Sequence, residues 1–303
     1  MKLSYIFKLL PLMAICLASC GKEDGPDTPP QPVPDPKPEK MEIRISAGIG
    51  ATKATDAGFE SGDCIGLYIV NRSGNGANTL RPSGNHVDNM RFTLSSSWNP
   101  DSPIYWEDND THADFYIYYP YRKISDANNV EIETKTDQSS EADYKSSDFM
   151  TGMRSDVAPT QSEVSLTANH LLSRVNIGVK SGDGFTDKAL SEADLKVRVN
   201  GVYTKANVNL ATSELKTSGN RNSILAYRNE DSFKAIVIPQ SVDYGKLITV
   251  SVNGQEYSFT KEFTFERAKE HNFTITVSKS SNGINVNISP WVNDGTDNGG
   301  TAE

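Results

Sequence analysis

The chain has 303 residues, with 30 Lys and Arg against 39 Asp and Glu, and a formal net charge of -9 at pH 7. That acidity removes any electrostatic reason to bind nucleic acid or an anionic membrane face, both of which are polyanions. Of 3 cysteines, Cys16 and Cys20 lie near the N-terminus and Cys64 stands alone, so no intramolecular disulfide framework is expected.

The first forty residues carry a strong signal. Lys2 and Lys8 supply positive charge around an apolar stretch, Ile6 to Leu17. That stretch suits a signal peptide and is too short for a spanning helix, which needs about 20 apolar residues. It ends in Leu17-Ala18-Ser19-Cys20. Small residues before a cysteine are the pattern of a lipoprotein signal, so residues 1–20 are read as a leader with Cys20 as the lipidated residue. More than one acyl chain there would make anchoring stable. Lys22-Glu23-Asp24 follows, and residues 21–40 hold prolines at almost every second residue from Pro26 to Pro38. Such a run favours polyproline II and acts as a stiff tether.

Beyond the tether, period-two alternation dominates. Met41 to Ile49 alternates apolar with polar residues and predicts a first strand. Cys64 to Val70, Phe92 to Leu94, Phe115 to Tyr119 and Val130 to Ile132 predict further short strands between turn-rich stretches. In the second half the pattern recurs at Val164 to Leu166, Val175 to Val179, Leu195 to Val199 and Val208 to Leu210. Phe233 to Ile238 is almost continuously apolar and stops at Pro239, as a central strand would. Leu247 to Val252 and Gln255 to Phe259 flank Asn253-Gly254, the preferred type I′ hairpin turn. Phe273 to Val277 and Ile284 to Ile288 complete the series. One short helix is predicted within 185–194. Many short strands with few helical segments predict an all-β chain of two tandem β-sandwich domains, residues 41–162 and 163–303, each with its own core.

No catalytic or metal-binding constellation stands out. Glu107-Asp108-Asn109-Asp110 lacks the alternating ligands and glycine of an EF-hand. His86, His112, His170 and His271 are far apart, without zinc spacing; His170 is read as a structural hydrogen-bonding residue that opens the second domain. Ser73-Gly74-Asn75-Gly76 has no following Gly-Lys-Ser/Thr. Cys64 has no neighbouring His and is read as an inert thiol. No enzyme activity, cofactor or metal is expected. Trp98, Tyr105, Trp106, Tyr116, Tyr118, Tyr119 and Tyr121 form an aromatic-rich region that reads as core. Exposed, it would be a platform for sugar rings, which keeps a surface glycan-binding lipoprotein as the alternative function.

Several stretches together resemble a known pattern. These are the lipobox and tether, Ile43 to Ile49, Ala51-Thr52-Lys53-Ala54, Phe59 to Asp63, Ile65-Gly66-Leu67-Tyr68, Ala113 to Tyr121, Asp148-Phe149-Met150, His170 to Val175 and Trp291. In this order they resemble the Mfa-like fimbrillin family of Bacteroidota. The resemblance implies a type V pilus subunit, stalk or accessory tip or anchor, with two sandwiches of transthyretin-like topology. It implies export to the outer membrane surface as a lipoprotein and location in the fimbrium after assembly. It also implies proteolytic loss of the first strand, which opens a groove filled by a strand from another subunit. Lys53 and Arg44 are the basic residues in reach; Lys53 is preferred because a cut there releases the whole strand. Ile284, Val286 and Ile288 are the candidate donor strand. The partners implied are other pilus subunits by strand exchange, with host or bacterial receptors or glycans as adhesion targets, and the membrane only through the lipid.

Overall fold

Alternating apolar and polar residues leave the backbone little choice but strands. The structure, a computed structural model, describes residues 40–50, 58–74, 76–279 and 300–302. The first half runs β1 (Ile45–Ile49), β2 (Cys64–Asn71), β3 (Val87–Leu94), β4 (Trp98–Pro100), β5 (Ala113–Tyr119), β6 (Val130–Glu133), helix α1 (Glu141–Ser146), β7 (Met150–Val157) and β8 (Val164–His170). The second runs β9 (Ser173–Ser181), α2 (Asp187–Ser191), β10 (Leu195–Val208), β11 (Leu215–Leu225), β12 (Tyr227–Asn229), β13 (Ser232–Val237), β14 (Gln240–Val252), β15 (Gln255–Phe265), β16 (Glu270–Val277) and β17 (Gly300–Ala302). The all-β class expected from the sequence is what the chain adopts.

Seven strands make one sheet in the order β1-β8-β7-β5-β2-β3-β4. Its middle strands β2 and β5 are buried on both faces, which is why they read as continuous apolar runs instead of alternating ones. Ile65, Leu67, Ile69, Phe115 and Ile117 point into a core with Phe92, Trp106 and Leu166. Their neighbours Tyr68, Val70, Tyr116 and Tyr118 point the other way, into a different core. Gly66 makes this possible: a Cβ there would lie 2.1 Å from the Tyr118 ring, so the ring packs over bare backbone.

The second half forms two five-stranded sheets. One runs β11-β10-β14-β15 with β6 also on β10; the other runs β12-β13-β9-β16-β17. Side chains of both meet in one core that includes Val175, Ile177, Val197, Phe233, Val250 and Phe273. Each such side chain fully withdrawn from water contributes roughly 1.5–3 kcal/mol. The β14–β15 hairpin closes through Asn253 and Gly254 at φ 49° and 86°, the positive values the type I′ turn requires. Helix α2 falls inside the predicted window, capped by Thr186, whose side chain accepts from Ala189 N at 3.1 Å.

A third core joins the halves. It gathers Tyr68, Tyr118, Ile132, Phe149, Leu171, Val208 and Ile236. Two sets of pairings bear on the 162/163 boundary expected from the sequence. Strand β8 lies between β1 and β7 in the seven-stranded sheet, and β6 pairs with Lys205 to Val208 of β10. Gln138, fully buried, adds a further link. Its side-chain amide donates to Ile236 O at 2.9 Å and accepts from Ile236 N at 2.8 Å, continuing the ladder where β12 ends.

Candidate functional site

The first strand is where sequence and structure bear most directly on function. Met41 to Ile49 is expected as one strand; the chain instead changes partners at Arg44. Ile43 N donates to Ile104 O at 2.9 Å and Trp106 N donates to Met41 O at 2.9 Å, an antiparallel bridge centred on Glu42 and Tyr105. From Ile45 onward the strand runs parallel to β8, Ile45 opposite Val164 and Ile49 opposite Ala168. Val164 N donates to Arg44 O at 2.8 Å, and Gly50 N to Ala168 O at 2.7 Å. The reason for the switch is the curl of the sheet. Strands β1 and β4 are its opposite ends, yet the Trp98 indole on β4 donates to Ala47 O on β1 at 3.1 Å. The first strand therefore lies in the seam where the sheet closes on itself.

Its side chains are seated accordingly. Ile43 and Ile45 are each 2% exposed in the core beneath the seam, with Met41, Ala47 and Ile49 packed against them. The intervening Arg44 side chain is exposed, but its carbonyl is bonded and the residues on either side are buried. A protease must draw several extended residues into its cleft, so cleavage after Arg44 requires the strand to leave its seam first. The other candidate, Lys53, lies outside the described residues, as do Cys20 and the candidate donor residues Ile284, Val286 and Ile288. At the far end of the chain, β17 runs parallel to β16, with Ile275 opposite Gly300.

The aromatic-rich region is core. Trp98, Trp106, Tyr116 and Tyr118 are all buried, and among those considered only Tyr105 is exposed. That region therefore offers no broad surface platform. In the acidic loop, Asp108 carboxylate oxygens accept from Asp110 N and from Thr111 N and Oγ1, and these bonds hold its pKa below the usual carboxylate range. The Cys64 thiol is half-buried beside Thr93 Oγ1 at 3.4 Å. No group of three or more His, Cys, Asp or Glu is placed to hold a metal among the described residues.

Sequence reasoning overlooked a cavity of about 380 Å³ walled by both halves of the chain. Helix α1 supplies one wall. Ser140 caps it, accepting from Asp143 N at 3.1 Å, and Tyr144 is its buried residue. The Tyr144 ring stacks on Tyr227 of β12 at 5.6 Å between centroids. The Ser140-to-Asp143 spacing was a capping signal available in the sequence. His170, the last residue of β8, donates from Nδ1 to Asp148 Oδ2 at 2.6 Å on another wall. That bond to Asp148 raises the His170 pKa, against the lowering effect of burial. Tyr119 donates to Asp63 at 3.0 Å; burial, then the Asp63 charge and bond, raise its pKa.

The chain is all-β in its core, and its first strand lies at the seam between the two ends of its own sheet. Comparison places it more closely. A family model described as fimbrillin-like matches residues 52–291, and the chain belongs to that family. It is 27% identical over 299 residues to a Bacteroides uniformis protein named as a candidate fimbrium subunit, Fim1C, covering 92% of each. Two crystal structures share the fold. One is named as a candidate cell adhesion protein from Bacteroides uniformis, with TM-score 0.62 and 21% identity over 86% of this chain and 97% of that one. The other bears the same description from Bacteroides ovatus, with TM-score 0.61 and 15% identity over 78% of this chain and 92% of that one.

Proposed function

We propose that this protein is a fimbrial subunit of the type V pilus class, carried to the cell surface as a lipoprotein and assembled by strand exchange. Family membership supports the fimbrial role. The observation that carries the mechanism is the seating of the first strand: an end strand that fills a seam with buried Ile43 and Ile45 and, among the described residues, has continuous backbone partners only on β8. Its removal would uncover apolar side chains together with unpaired groups of Val164 to Ala168. A donor strand from another subunit would satisfy both, by main-chain hydrogen bonds and alternate side chains. Ile284, Val286 and Ile288 are the candidate donor, and other subunits are the first partners. Cleavage after Lys53 would release the whole first strand; cleavage after Arg44 would leave Ile45 to Ile49 in place.

In this reading Cys20 carries the lipid at the outer membrane surface, Gly21 to Lys40 is the tether, and residues 41–162 and 163–303 act as the two sandwich units. The protein adheres and assembles, and catalyses nothing.

The test is limited trypsin digestion of the protein from Gly21 onward, followed by intact mass and size exclusion. One early cut after Lys53, followed by growth into larger species, is the expected result. A protein that stays monomeric after losing its first strand would overturn assembly by strand exchange.

A further inference from the structure

We propose that the cavity between α1, the end of β8 and β12 is a binding site for a neutral saccharide of one or two rings. The Tyr144 hydroxyl is the first reason. Tyr144 lines the cavity, is only 9% exposed, and its oxygen is buried without a hydrogen-bond partner among the described residues. A buried polar group left unsatisfied is costly and calls for a missing partner. Burial also raises its pKa, so it stands as a neutral hydroxyl able to donate and accept.

The walls indicate what that partner is. At about 380 Å³ the cavity falls in the range of small-molecule sites, and its lining combines apolar and aromatic side chains with many charged ones. Tyr227, half-buried and stacked on Tyr144, offers an aromatic face suited to the C–H face of a sugar ring. The carboxylates at the cavity other than Asp63, which accepts from the Tyr119 hydroxyl, are met by cations. Lys145 Nζ lies 3.0 Å from both Glu60 and Glu141, His170 meets Asp148, and Arg174 meets Glu270. A strongly charged ligand would have to break such pairs. Sugar hydroxyls can donate to the carboxylates and accept from the cations while the pairs remain. Lys234 and Lys269 add further donors to the lining.

This site shares Ile49 with the first strand but is tested separately from strand exchange. A subunit that fails to polymerise still has the cavity, and a subunit without the site can still exchange strands. It also differs from a surface aromatic platform, since most of the aromatic-rich region is buried.

The experiment is calorimetric titration and saturation-transfer NMR of the full chain in detergent against neutral mono- and disaccharides, repeated with Tyr144→Phe and Tyr227→Ala. A saturable neutral-sugar complex is expected. Removing the Tyr144 hydroxyl should weaken it about fivefold to tenfold with the melting temperature held or raised, and Tyr227→Ala should abolish it. Absence of binding across the panel overturns the proposal. So does binding confined to carboxylate-bearing sugars or to peptides, or neutral-sugar affinity unchanged in both variants.

Discussion

The indole Nε1 of Trp98 donates to the backbone carbonyl of Ala47 at 3.1 Å, across the seam between the two ends of one sheet. The bond is made by a side chain, yet it occupies a place where a barrel would have a strand ladder. It holds the first strand from the side opposite β8, and it does so from a side chain only 8% exposed. Among the described residues, departure of the whole first strand therefore breaks the β8 ladder, this lateral bond and the two backbone bonds of the Glu42–Tyr105 bridge, instead of two full ladders.

Replacing Trp98 by Phe keeps an aromatic ring and removes the donor. The Ala47 carbonyl then loses its partner in a nearly dry seam, at a cost of about 1 kcal/mol, with the smaller ring adding to the loss. The midpoint of urea unfolding should fall. Trypsin should also remove the first strand severalfold faster than in the parent, because opening of the seam governs access. A variant that unfolds earlier but is cut at the parental rate would show that the indole bond does not hold this strand.

Gln138 offers a second measurable relationship. Its side chain pairs with both backbone groups of Ile236 in the core that joins the halves, and Gln138 N donates to Leu225 O at 2.9 Å. Gln138→Leu is close in volume but leaves the Ile236 N–H and C=O buried without partners. Each orphaned group costs about 1–3 kcal/mol, so a loss of several kcal/mol is expected in denaturant unfolding. Gln138→Glu at neutral pH should be at least as harmful, since it places a carboxylate where a donor is required. A loss below about 1 kcal/mol for Gln138→Leu would mean that water replaces the amide there.

These relationships mark how far the sequence could be read. The hairpin at Asn253-Gly254, the apolar run of β13 and the alternation of Met41 to Ile49 are local signals, and the structure contains all of them. Strand β11 was illegible because it is exposed along most of its length; of its residues only Ile224 is buried. Strand β7 carries an exposed polar stretch from Arg154 to Asp156 for the same reason. The division of neighbours such as Leu67 and Tyr68 between two cores leaves no local trace, because both simply read as apolar. The candidate sites were half legible. The first strand announced itself by period, but its hold on Trp98 and the meeting of Tyr144 with Tyr227 depend on contacts distant in sequence.

Two histidines make opposite pH predictions. His170 is held by Asp148, and that bond raises its pKa above the ordinary value of 6.5. Its stabilisation is therefore fully present below 6.5 and is lost as pH rises through the raised folded value. His271 is lowered, chiefly by burial and further by Lys269, against the raising influence of Glu266 and Glu270. Its Nε2 accepts from Glu266 N at 3.0 Å, which requires the neutral ring. Unfolding lets that ring take up a proton, so its contribution is present above 6.5 and is lost as pH falls below it. Melting temperatures of the parent, His170→Gln and His271→Gln across about pH 5 to 8 separate the two. The gap between parent and His170→Gln should shrink as pH rises, while the gap for His271→Gln should widen. A pH-independent gap at either position would mean that its imidazole keeps the same protonation equilibrium folded and unfolded.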